Sequence, residues 1–296
     1  MKTKSNAVFS VRFGALLGWV GVMMSASVSG QTADVDLVVM EKFSDHRQTD
    51  ASTTVPHSSP YGFAVIVEGS NLAPLGFTAP TFISAAGSGT AGGTLIYDED
   101  EGQWSEEISF SSQTDLNTAF ADGTYTVSVG GTTVELVQSG DLYPNTPMVA
   151  TFSQGFWSGG VYYFDPTQDL TITTNAFTAY DSYIDGMINI FVNANAGPGY
   201  DQDAQAFHDQ AGGANTLSLT IDAFELVGGQ TLELELGFSS IVDDDADLLL
   251  PGALIVSVYS TFTFVQLQAI PEPSTYAMLV GGAGLAVAVW VRRRRR

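Results

Sequence analysis

The chain has 296 residues, 45% hydrophobic and only 14% charged, with no cysteine. That composition suits one large or two ordinary domains rich in strands and turns, and it excludes a disulfide framework, a thiol nucleophile and a thiolate zinc site. Ten Lys and Arg stand against 32 Asp and Glu, and all but Lys42 and Arg47 of those cations sit at the two ends, so the acidic body repels phosphate backbones and nucleic acid is excluded as a partner.

The N-terminal 30 residues read as a secretory signal peptide. Lys2, Lys4 and Arg12 supply a positive start, and Phe13 to Met24 is an apolar run too short to span a bilayer. Small residues from Ser25 to Gly30 then offer a cleavage site for signal peptidase.

From Asp34 to about Gln268 alternation dominates, and strands are predicted over 36–40, 63–68, 103–111, 170–174, 187–192, 216–221, 231–238 and 254–268. In Thr231-Leu232-Glu233-Leu234-Glu235-Leu236 the leucines take one face and the glutamates the other. Thr124–Val129 and Thr132–Val137 alternate on either side of Gly130-Gly131, which predicts a hairpin because both glycines accept positive φ. Asp115 is placed to cap a single helical turn through Phe120. Short strands at this spacing predict an all-β chain of two antiparallel β-sandwiches, 34–140 and 148–268. The segment 141–147, with Pro144 and Pro147, is the predicted linker.

Asp122-Gly123-Thr124-Tyr125 resembles the tyrosine corner of immunoglobulin-like domains. The resemblance implies that the Tyr125 hydroxyl ties the turn before the penultimate strand of the first sandwich. The second unit resembles fibronectin type III domains, through Leu170–Thr173 and the spacing of Leu226, Thr231 and Leu232, although the Pro and Tyr of that pattern are missing.

Catalytic signals are sparse. His46, His57 and His208 stand in no metal-binding spacing, and there is no Gly-x-Ser-x-Gly elbow, so the expectation is a protein that is not an enzyme and needs no cofactor. Calcium is the candidate ligand of the acidic runs: Asp243, Asp244, Asp245 and Asp247 first, Asp98 to Glu101 second. The competing reading of both runs is a solvated turn that keeps the protein soluble. Phe156, Trp157, Tyr162, Tyr163 and Phe164 form the candidate carbohydrate platform, with burial in the core as the simpler use of such rings.

The last residues are the most specific. Pro271-Glu272-Pro273 precedes an uncharged, mostly apolar run from Tyr276 to Val291, and Arg292, Arg293, Arg294, Arg295 and Arg296 end the chain. As a helix that run covers ~24 Å, a short span with flanking residues included, and the arginines stop transfer and hold their end in the cytoplasm. This order of motif, helix and basic cluster in 271–296 resembles the PEP-CTERM sorting signal of Gram-negative bacteria. The resemblance implies recognition by an exosortase, an integral-membrane protease that cuts near the Pro-Glu-Pro. The implied route is export through the inner membrane, transient anchoring by the 276–291 helix, then the cell surface or extracellular matrix. The expected function is a structural or adhesive component of the envelope or exopolysaccharide matrix. The alternative is a carbohydrate-binding module or glycoside hydrolase acting on matrix polysaccharide.

Overall fold

The computed structural model describes residues 34–70, 72, 78–99, 102–144, 147–177, 185–194, 201–207, 216–244, 250 and 253–270. The expected signal peptide (1–30) and sorting segment (271–296) lie outside them. Among the described residues no helix is long and apolar enough to cross a membrane.

Among the described residues the structure is all-β with one short helix. In order come β1 (Asp34–Gln48), β2 (Thr54–Ser70), β3 (Thr81–Ile83), β4 (Gly92–Thr94), β5 (Ile96–Asp98) and β6 (Gln103–Phe110). Helix α1 (Gln113–Ala119) is followed by β7 (Gly123–Val129), β8 (Thr132–Gln138), β9 (Ala150–Phe152), β10 (Phe156–Ser158) and β11 (Val161–Phe164). The series closes with β12 (Leu170–Thr174), β13 (Asp185–Ala194), β14 (Asp201–Phe207), β15 (Ser218–Ile221), β16 (Thr231–Asp244) and β17 (Leu254–Ala269).

These strands form one ten-stranded sheet and two small ones. The large sheet runs β14-β13-β16-β17-β1-β2-β6-β5. Its centre is β17, antiparallel to β16 and parallel to β1 from Leu37↔Leu254 to Arg47↔Phe264. Beyond the end of β1, β11 takes over as the parallel neighbour of β17, from Tyr162↔Leu267 to Phe164↔Ala269, and carries β10 with it. The four-stranded sheet is β4-β3-β7-β8, and the three-stranded sheet is β15-β12-β9. Strands from the expected 34–140 and 148–268 units therefore share one sheet.

Both small sheets pack on one face of the large sheet. Residues at alternate positions of a strand share a face. Along β17 the odd positions start apolar at Ile255, turn polar through Ser257, Tyr259, Thr261 and Thr263, and become apolar again at Val265 and Leu267. Ile255 joins a core with Val38, Met40, Phe63, Val65 and the inward residues of the four-stranded sheet. Val265 and Leu267 join a second core with Ile188, Ile190, Leu232, Leu234, Leu236 and the three-stranded sheet. The polar stretch of β17 separates the two. The opposite face carries two smaller buried clusters, Leu37–Val39–Ile66–Val256–Val258 with neighbours and Phe43–Ala64–Phe262–Phe264.

Local chemistry explains the elements. The β7–β8 hairpin turns at Gly130 and Gly131, both at positive φ (57° and 88°), as the Gly-Gly pair predicts. Helix α1 starts two residues before the predicted cap. Its N-cap is Ser112, whose side chain accepts from the Asp115 N–H while the Asp115 carboxylate accepts from Ser112 Oγ at 2.8 Å. A hydroxyl in extended backbone can cap reciprocally with an acid three residues on, which corrects the placement of Asp115 as the cap itself.

Candidate functional site

The polar band between the cores holds the most concentrated chemistry among the described residues. Lys42 is fully buried on β1 and donates to Asp122 Oδ1 at 3.0 Å and to Asn117 Oδ1 at 3.4 Å. Its ammonium also lies 5.8 Å from the centre of the Tyr259 ring. The Tyr259 hydroxyl donates to the same Asp122 oxygen at 3.3 Å, and the Gly140 N–H donates to the other at 2.8 Å. Burial opposes ionisation of Asp122, but the Gly140 N–H, the Lys42 ammonium and the Tyr259 hydroxyl together outweigh it and hold the carboxyl below its ordinary value. Burial pushes the phenols of Tyr143 and Tyr259 upward, with neighbouring carboxylates adding to the effect at Tyr259.

The segment after β8 lies across this band. The Tyr143 ring meets Tyr259 edge-on at 5.0 Å, and Thr261 Oγ1 donates to the Pro144 carbonyl at 3.2 Å. Asn117 holds Asp141, itself at φ 48°, through two bonds of 2.9 and 2.8 Å. Two buried amides complete the joint. Gln138 Nε2 donates to the Met40 and Val258 carbonyls, and Gln48 exchanges hydrogen bonds with the backbone of Ala150. Chemically the band is a latch, since one ion pair and two amides satisfy backbone and charge where two apolar cores meet. Sequence reasoning missed it. The available signal was that Lys42 and Arg47, the only cations of the body, stand five residues apart in one strand.

The Tyr125 expectation meets its geometry. The ring is fully buried, and its hydroxyl donates to the Ala121 carbonyl at 2.6 Å. Burial is the leading cause that pushes this phenol up to about 12.

The calcium candidates are divided. Asp243 Oδ2 accepts from the Val137 N–H of β8 at 2.7 Å, so this carboxylate caps the edge of the four-stranded sheet. A register shift between Ile241 and Asp243 turns it toward that sheet. Asp244 pairs with Val256 in the ladder, while Asp245 and Asp247 lie outside the described residues. In the second run, Asp100 and Glu101 lie outside them as well. Among the described residues no three His, Asp or Glu side chains gather as a metal site. His46 sits on β1, where burial lowers its imidazole pKa against a backbone hydrogen bond at Phe262. His57 lies on β2, and His208 is outside the described residues.

The aromatic cluster splits by side. Tyr162 and Phe164 are buried, and Trp157 packs against the second core with Phe152. The Tyr162 hydroxyl donates to the Gln154 carbonyl. Phe156 and Tyr163 point the other way, as a cross-strand pair stacked at 5.6 Å with Phe156 54% exposed. Core burial thus claims three of the five rings.

Comparison with known proteins places weight on the tail alone. No curated protein matches the chain. Among solved structures, a Salmonella alpha-2-macroglobulin variant aligns at 9% identity and a TM-score of 0.24, over 82% of this chain and 15% of that one. A yeast delta-COP-I mu-homology domain aligns at 11% identity and a TM-score of 0.22, over 83% of this chain and all of that one. The chain thus spans a small fraction of the first of these proteins, and neither score relates it to a fold. Residues 269–296 match the PEP-CTERM protein-sorting motif, which marks an exosortase substrate that is exported and transiently anchored in the membrane before cleavage.

Proposed function

We propose that the protein is a structural or adhesive component of the bacterial envelope or exopolysaccharide matrix, freed of both ends and without catalytic activity of its own. The observation that carries this reading is the junction between body and tail. β17, the central strand of the large sheet, ends at Ala269, and the Ile270 N–H donates to the Phe164 carbonyl at 2.8 Å. The sorting motif begins at that point. A cut near the Pro-Glu-Pro would therefore leave every described strand intact, as suits a body that acts after release. The immunoglobulin-like reading of the first half rests on the Tyr125 corner, and calcium at Asp243 to Asp247 is no part of the proposal.

Intact-mass measurement of protein recovered from the native envelope tests this reading. The expected species runs from about residue 31 to about residue 272. Recovery of most molecules with Arg292 to Arg296 still attached would overturn it.

A further inference from the structure

The outward pair on β10 and β11 does not stand alone. Side chains at paired register positions of neighbouring strands point to the same side of a sheet. Phe156 is opposite Tyr163, and Tyr163 is beside Gln268 of β17. Gln268 pairs with Thr231 of β16, Gln266 with Glu233, and Glu233 with Asn193 of β13. All of these are partly or fully accessible, on the face opposite the second core. Exposed Arg47 reaches the same place from the end of β1 and donates to Gln266 Oε1 at 3.1 Å. Its charge also favours ionisation of Glu233, against a larger opposing effect of burial.

We propose that this patch, centred on Phe156, Tyr163, Gln266, Gln268, Glu233 and Arg47, binds a β-linked pyranose polysaccharide that carries no acidic groups. The proposal rests on the reading of the protein as a matrix component and names its partner. A pyranose ring has an apolar face of C–H groups and a rim of hydroxyls. Phe156 and Tyr163 offer aromatic surface to the first. The two amides, the carboxylate and the guanidinium offer donors and acceptors to the second. A few convergent polar groups beside apolar surface is the ordinary make-up of a small-molecule site. The accessible end of this face, beyond the buried Phe262 and Phe264, offers a platform to the ribbon of a β-linked chain. Charge decides the class of sugar: a chain with 32 acids and only two cations in its body repels uronic acid polymers.

The test is binding of the full chain in detergent to cellohexaose and chitohexaose, with alginate as the anionic control, read by titration calorimetry. At least one neutral hexamer should bind at micromolar to millimolar concentration, and alginate should not. Phe156→Ala and Tyr163→Ala should each weaken binding about tenfold or more. Tyr163→Phe should keep most of it, because the ring remains. Ile83→Ala, at a side chain 60% exposed on the four-stranded sheet, should leave it unchanged. Melting curves of the variants establish that the fold is retained. The proposal is overturned if neither hexamer binds at millimolar concentration, if both alanine variants bind as tightly as the parent, or if alginate binds as well as the hexamers. The mass of the envelope-derived protein is independent of each of these outcomes, so loss of the patch and loss of the sorted-matrix reading are separately visible.

Discussion

The two cores on the shared face solve the same packing problem with different side chains. The first is aromatic at its centre. Phe63 stacks on Phe120 at 3.9 Å and lies 5.6 Å from Tyr125 and 5.7 Å from Phe82. The second is aliphatic at its centre, with Leu232, Leu234 and Leu236 of β16 against Ile188, Ile190 and Val192 of β13, and its rings lie around them in two stacks, Phe177–Phe238 at 4.3 Å and Phe152–Tyr162 at 3.9 Å. The first also reaches further along the chain. It is drawn from residues 35–136 together with Ile255 of β17 and a few partly buried residues near it, whereas the second is drawn from residues 148–269 alone. A large ring fills a gap between a long strand and the small four-stranded sheet with few residues, while long adjacent strands fill the same depth with repeated branched side chains. Because β17 enters both cores, the difference in material need not make two independent folding units.

The largest expected effects probe that sharing. Phe120→Ala removes the stacked ring from the first core and should cost about 3–5 kcal/mol, and Leu234→Ala should cost about 2–5 kcal/mol in the second. In urea each variant should still unfold in one transition, shifted to lower denaturant, because a strand common to both cores couples them. Two separated transitions, with only one moved by each variant, would instead support two autonomous sandwiches.

The latch comes next. Lys42→Ala should destabilise the protein by roughly 2–4 kcal/mol, since it deletes a long buried side chain and strips Asp122 of its cation. Asp122 is 43% exposed and can hydrate, so the pairwise part is smaller. A double-mutant cycle of Lys42→Met with Asp122→Asn should give a coupling of about 1 kcal/mol. No coupling would reduce the latch to packing.

Tyr125→Phe removes one hydroxyl from the first core and should cost ~1 kcal/mol, the usual net worth of a hydrogen bond. A denaturant midpoint equal to the parent's would show that the corner contributes nothing.

The smallest effect is a dependence on pH. The folded state holds the Asp122 carboxyl below its ordinary value. Its contribution is therefore present above the unfolded pKa of about 3.9 and is lost as pH falls through the lower folded value. Melting points of the parent and of Asp122→Asn, measured from pH 6 to pH 3, should converge at the acid end. A constant gap between them would assign the ionised form no role.

Much of the local structure was legible in advance. The β7–β8 hairpin followed from Gly130-Gly131 between alternating runs, and β12 followed to the residue from Leu170 to Thr174. The Tyr125 hydrogen bond followed from Asp-Gly-x-Tyr, and the sorting tail from its own last 26 residues. Period-two alternation, paired glycines and a tripartite tail are written in neighbouring residues, so they survive without knowledge of the fold.

Partner choice between distant strands was not legible. Antiparallel pairing was expected throughout, yet β1 lies parallel to β17, a strand more than two hundred positions later. Nothing local distinguishes that pairing from a hairpin, because each strand offers the same backbone groups on both edges and total burial selects the mate. The same is true of Lys42, Asp122 and Tyr259, which no spacing relates and which only the stacking of two sheets brings together. Asp243 shows the limit most clearly. The acidic run marks it only as a carboxylate, and it is a register shift in β16 that presents it to the Val137 N–H of another sheet. Side-chain chemistry was readable from the residue, but its use depended on which backbone the fold set opposite.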